Sequence, residues 1–172
     1  ALINFEHSHE LSEKDTLGNM KANSGIGKVY YKLHRFEDSR HYLYIAREQS
    51  EKLSNIEGII ISEFYLGRIN TDENNLTDAL KHFDKAFAVS TEHLRKHDIM
   101  SIHELYAMVY ERMQDIPKAY YHLKLYETLK EEIFHQNTMN KLRNLQARHE
   151  VEFANKEKEL AKQSARLKQQ FI

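Results

Sequence analysis

The stretch IIISEFYLGRINTDENNLTDALKHFDKAF, residues 59–87, decides the fold. Ile59, Ile60, Leu66 and Ile69 recur at steps that keep them on one face of a helix. The polar run Asp72-Glu73-Asn74-Asn75 then breaks the pattern, and Leu76, Leu80, Phe83 and Phe87 begin a second stripe. This is a helical hairpin, and its key positions recur 40 residues away on both sides. Leu66, Gly67, Asn70, Leu76, Ala79, Phe83 and Ala86 correspond to Ile26, Gly27, Tyr30, Phe36, Ser39, Leu43 and Ala46 upstream, and to Tyr106, Ala107, Tyr110, Ile116, Ala119, Leu123 and Tyr126 downstream. Self-similarity at this length predicts an all-α solenoid in which each pair buries its apolar face against its neighbours.

Small residues recur where two helices must approach closely. Gly27, Gly67 and Ala107 hold one slot on the first helix of each pair, and Ser39, Ala79 and Ala119 hold another on the second. A bulkier side chain in either slot would force the helix axes apart, at about 1–3 kcal/mol of overpacking strain. Asp115 is placed to cap a helix whose first turn contains Pro117, and Gly58 is expected to punctuate the junction of the first two pairs.

Composition agrees with a helical chain and narrows its functions. The 172 residues include five Gly and one Pro, with 41% apolar and 30% charged residues, too hydrophobic for disorder and too charged for a membrane-embedded protein. The run Gly58 to Ile61 is far too short to span a bilayer. With 25 Lys plus Arg against 26 Asp plus Glu, the near-zero net charge argues against nucleic acid as a partner. The absence of cysteine excludes disulfides, thiolate zinc sites and a cysteine nucleophile; it fits the cytosol and is compatible with the periplasm.

The slots of residues 66–86 resemble those of the tetratricopeptide repeat family: a Leu-Gly pair and a later Tyr on the first helix, then Ala, an aromatic and Ala on the second. Leu66-Gly67, Ala79, Phe83 and Ala86 match most faithfully, and Tyr30 and Tyr110 supply the aromatic that Asn70 does not. The usual Trp and closing Pro are absent, and the period is 40 instead of 34. The resemblance implies elongated repeats at about 16–55, 56–95 and 96–138. Ala1, Phe5 and Ser8 match second-helix slots, so residues 1–15 read as the second helix of a preceding repeat whose partner lies upstream.

The pattern changes in 139–172. Leu142, Leu145 and Ala147 continue the repeat register and are expected to cap the third pair. Phe153, Leu160 and Leu167 then recur every seven residues in a segment rich in Glu, Lys and Gln. Seven-residue spacing suggests a coiled coil and a homodimer through this helix. The intervening seam positions His149, Lys156 and Gln163 are polar, and the alternative is a solvated single helix carrying pairs such as Glu152–Lys156 and Glu159–Lys162. The segment resembles the connector that follows repeats in bacterial sensor kinases, nucleotide cyclases and transcription regulators.

The same resemblance implies a concave groove lined by Lys21, Ser24, Lys28, Tyr31 and Lys32 in the first repeat. The second supplies Ile61, Phe64, Arg68, Thr71 and Asp72; the third supplies Ser101, Glu104, Met108, Glu111 and Arg112. Lys28, Lys32, Arg68 and Arg112 suit carboxylates or peptide carbonyls, Glu104 adds an acidic contact, and Tyr31, Phe64 and Met108 offer apolar surface. The expected ligand is an extended peptide or a partner helix. The carboxylate clamp of chaperone-binding repeats does not map, because Ser24, Lys28 and Ser101 stand where it needs other residues.

No enzyme activity, cofactor or metal is expected. His93 and His97 have ligand-pair spacing but lack an assured third ligand, and Gly25-Ile26-Gly27 lies within a helical pattern without a preceding strand. No Walker loop or Gly-x-Ser-x-Gly elbow occurs. The expectation is a non-catalytic binding domain of a signal-transduction protein, relaying occupancy through its C-terminal helix. The alternative is a structural scaffold whose groove is filled by its own helix or a second subunit. A phosphatase acting on a response regulator ranks behind both.

Overall fold

The computed structural model describes residues 16–170. Among these the regular structure is entirely helical: α1 (Thr16–Lys32), α2 (Phe36–Lys52), α3 (Ile56–Asp72), α4 (Leu76–Glu92), α5 (Lys96–Arg112) and α6 (Ile116–Gln170). The first five helices are each 17 residues long. Their starts therefore fall every 20 positions, and the 40-residue sequence period is two beats of a helix plus a three-residue turn. No helix among the described residues is long and apolar enough to cross a membrane. The expected helix in residues 1–15 lies outside the described residues.

One backbone device makes all five turns. His34, Ser54, Asn74, Leu94 and Gln114 adopt left-handed φ values of 57°, 51°, 63°, 53° and 61°. The following N–H returns to a carbonyl five residues back: Arg35 to Tyr30, Asn55 to Ser50, Asn75 to Asn70, Arg95 to Ser90 and Asp115 to Tyr110, at 2.7–3.0 Å. Carbonyls that the helix end would leave without partners are thereby satisfied. Asn55 Oδ1 accepts from Gly58 N at 2.7 Å, and Asp115 Oδ1 accepts from Lys118 N at 3.2 Å, so both act as caps.

Gly58 has a different role from the one expected. It lies in the first turn of α3, and the chain reverses at Ser54. A Cβ on Gly58 would strike Ser50 Oγ, which donates to the Ala46 carbonyl at 2.6 Å inside the α2–α3 contact. In the first two pairs the small slots behave as expected, whereas Ala107 and Ala119 of the third are only half-buried. A Cβ on Gly27 would lie 2.8 Å from Leu43 Cγ, and one on Gly67 would enter the Phe83 ring, 2.7 Å from Cδ1. Ser39 and Ala79 are fully buried, and Ser39 Oγ donates to the Gly27 carbonyl at 2.7 Å.

The chain divides into two units, one ending at Leu129 and the other beginning at Lys130. In the first, α1 packs on α2 and α3 on α4, α2 and α4 also pack against the next helix, and α1, α3 and α5 touch in succession. Leu43, Leu66 and Ile69 form one core cluster, with Tyr31, Phe36 and Tyr65 against it. Ala79, Phe83, Ala86, Ile102, Leu105, Tyr106 and Val109 form another between α4 and α5. Each large side chain buried in these layers contributes about 1.5–3 kcal/mol. This is an all-α, solenoid-like arrangement of consecutive helix pairs.

Beyond Lys130, α6 continues without a break through position 139, where a new helix was expected. The sequence between Pro117 and Gln170 contains no Gly or Pro to end it. Leu142 and Leu145 are exposed, in place of the capping contacts expected of them, as are Val151, Phe153 and Leu160. Glu159 and Lys162 approach to 3.8 Å, one of the two expected charge pairs. The Leu167 side chain lies outside the described residues.

Candidate functional site

The first helices α1, α3 and α5 carry the expected groove residues, and the structure sorts them into two groups. One group is engaged within the protein. The Arg68 guanidinium carbon lies 5.2 Å from the Tyr31 ring centre and 5.9 Å from that of Phe64, so two adjacent first helices meet across a cation sandwiched by rings. Tyr31 Oη donates to Asp72 Oδ2 at 2.8 Å, and Tyr31 meets Tyr65 edge-on at 5.4 Å. Burial, reinforced by the bond to Asp72, holds the Tyr31 hydroxyl above its ordinary pKa. Phe64 and Met108 pack against the α4–α5 core. Arg112 Nη1 donates to the Thr71 carbonyl at 2.6 Å, tying α5 to the end of α3.

Thr71 is not a groove residue. It is fully buried, and its hydroxyl donates to the Gly67 carbonyl at 2.9 Å. Glu104 and Lys32 are exposed, as expected of ligand-facing positions.

The second group surrounds a cavity of about 650 Å³ between α1 and the start of α3. Lys21, Ser24, Lys28, Lys32 and Ile61, all expected groove positions, line it together with Met20, Gly25, Val29, Asn55, Glu57 and Gly58. Met20, Val29 and Ile61 give it an apolar wall, and three ammonium groups stand at its polar side. Lys28 is half-buried, with its Nζ 5.8 Å from the Tyr65 ring centre. Burial lowers its pKa; Glu57 opposes that shift and Lys32 adds to it. Such a volume accommodates a few side chains of a bound chain.

Two polar clusters were not legible in the sequence. Glu63, 2% exposed, receives Arg47 Nη1 at 3.3 Å and lies 2.5 Å from His82 Nδ1, joining α2, α3 and α4. On α5, His103 Nδ1 lies 3.1 Å from His122 Nδ1 of α6, and Tyr106 Oη donates to Asp84 at 2.5 Å. The partners come from different helices, 16–22 positions apart, so no local spacing announces them. Tyr65, which touches Lys28, Tyr31 and Phe64, was missed for the same reason. Among the described residues no three His, Cys, Asp or Glu side chains converge as metal ligands. His93 Nδ1 lies 3.0 Å from the Val89 carbonyl.

No family model matches the sequence, and no curated protein matches it.

Proposed function

We propose that this chain is a non-catalytic module of tetratricopeptide-like repeats that binds a peptide or protein segment on its first-helix face. The observation that carries this reading is the cavity between α1 and α3, which lies on the face the repeat resemblance assigns to ligand and combines an apolar wall with a cationic rim. A pocket of this kind anchors one or two side chains of an extended segment, while neighbouring rings and backbone supply the rest of the contact. The other polar clusters support a binding role over a catalytic one. Glu63, Asp84 and Asp72 are each engaged by side chains of neighbouring helices, and so act as ties between layers.

The relay to an output module runs, in this proposal, through the C-terminal helix, whose seven-residue repeat suits pairing with a second copy. Binding would bias the pairing geometry of that helix, the two-state element that coupling requires.

Peptide-library selection against the intact chain tests the binding role. Selected peptides are expected to lose at least about tenfold in affinity, some 1.4 kcal/mol, on Ile61→Trp, which fills the cavity from its wall. Thermal unfolding of the variant serves as the check on folding. Undiminished affinity in a folded Ile61→Trp protein removes the cavity as the site. Failure to enrich any peptide favours a scaffold whose face is occupied by its own subunits.

A further inference from the structure

The cavity gathers three lysines and one carboxylate in a single lining. Most other described cations near helix ends and turns sit beside carboxylates: Arg35 with Asp38, Lys52 with Glu48, Lys81 with Asp78, Arg95 with Asp98 and Lys118 with Asp115. Arg40 pairs with Glu73 and Arg47 with Glu63. Lys21, Lys28 and Lys32 make no ion pair among the described residues, yet all three line one cavity. Glu57 is the single carboxylate in that lining, so three cations face one anion. Helical geometry explains the convergence: positions 21, 28 and 32 are separated by seven and four residues and share a face.

We propose that this cavity recognises an acidic peptide segment, in which a carboxylate side chain lies between Lys28 and Lys32 and an adjacent aliphatic side chain enters against Met20, Val29 and Ile61. This rests on the binding role proposed above and names the ligand chemistry of the same site. Charge complementarity selects the occupant. Lys28 is half-buried and feels Glu57 across the cavity without an ion pair to it, so an incoming anion restores lost hydration as a charge-assisted hydrogen bond. Arg68 and Arg112 do not compete for the ligand, because rings and a backbone carbonyl already hold them. The aliphatic requirement follows from the wall, which offers neither donor nor acceptor at Met20, Val29 and Ile61. The near-zero net charge of the chain leaves this concentration of positive charge local, which suits a short acidic motif over an extended polyanion.

The probe is the labelled peptide acetyl-Gly-Glu-Leu-Glu-Val-Gly-amide, titrated into the intact chain, with the Lys-for-Glu peptide of the same order as control. The acidic peptide is expected to bind, and the basic one to fail. Lys28→Met, which keeps the aliphatic stem and removes the charge, should weaken binding about tenfold, the loss of one charge-assisted hydrogen bond. Lys32→Gln should weaken it less, because an exposed charge is screened. Lys28→Arg should retain most of the affinity. Unchanged affinity in Lys28→Met overturns the proposal, as does equal binding of the basic peptide. Library selection yielding Ile61-dependent peptides without acidic residues would leave the binding role standing and sink this assignment alone. Single-stranded DNA or phosphatidylserine vesicles competing with the peptide in a Lys28-dependent way would assign the cavity to a polyanion and overturn it equally.

Discussion

At the scale of single residues, the histidine pair joining α5 to α6 is the most consequential contact. His103 is 6% exposed, and His122 faces it at 3.1 Å through the same ring atom, so one Nδ1 donates and the other accepts. Phe87, Tyr106, Tyr110 and Tyr121 surround the two rings. A second proton would set two N–H groups against each other and break the contact, and burial already disfavours the first. Burial, with His122 adding to it, pushes His103 down to about 4; burial also lowers His122, against the pull of Asp84. In the unfolded chain both titrate near 6.5. Unfolded molecules therefore take up protons first as pH falls, and the stability present above about 6.5 is lost progressively toward pH 4. After allowance for solvent screening, we expect a loss of about 2 kcal/mol across that window. Urea unfolding of wild type and His103→Gln at matched pH measures it. If the difference between their stabilities does not change with pH, the pair is not responsible.

At the scale of elements, the helix turns separate what the sequence revealed from what it concealed. The stripes and the polar break at 72–75 gave the helices, and the recurrence of small residues located Gly27 and Gly67 where their Cβ atoms would clash. The turn residues stayed hidden, because none of the five left-handed positions is glycine. For a β-carbon-bearing residue that conformation costs about 1–2 kcal/mol, which the returning hydrogen bonds offset. Leu94 is the clearest case, with φ 53° and 84% exposure, leaving little packing to lose. Leu94→Gly is expected to raise stability by about 0.5–1 kcal/mol, the relief at the turn less the extra freedom of glycine in the unfolded chain. Leu53, one residue before such a turn at φ −88°, provides the control, and Leu53→Gly should destabilise. Denaturant midpoints at unchanged slope distinguish the two. The groove shows the same limit of legibility. Position along a first helix identified its face, but whether Arg68 meets a ligand or the Tyr31 ring depends on a neighbouring repeat that spacing alone cannot specify.

At the scale of the whole molecule, coupling a repeat array to anything beyond it requires an element with an unsatisfied surface, and the unit beginning at Lys130 has one. Phe153 and Leu160 are 62% and 65% exposed, seven residues apart on a helix. Their seam is chemically mixed. Taking Phe153 and Leu160 as one seam position places Lys156 and Gln163 at the other, with Glu152 and Glu159 on one flank and Glu150 and Glu157 on the opposite flank. In a parallel pair Glu152 would face Glu157 of the second copy, and an antiparallel pair would also oppose acidic flanks. If the helix pairs, apolar burial at Phe153, Leu160 and Leu167 would work against like-charge repulsion, so the association expected of it is weak and reversible. Shortening the screening length from about 10 Å near 0.1 M salt to about 3 Å near 1 M should therefore strengthen self-association, the reverse of what a salt-bridged dimer does. Lys156→Leu, which replaces a charged seam position with an apolar one, should produce a dimer at concentrations where wild type is monomeric, and Leu160→Glu should abolish association at any salt. Sedimentation equilibrium of the intact chain and both variants provides the measurement. A wild-type protein that stays monomeric across the salt series, with Lys156→Leu equally monomeric, would show that this helix acts singly and that any relay through it does not use a second copy.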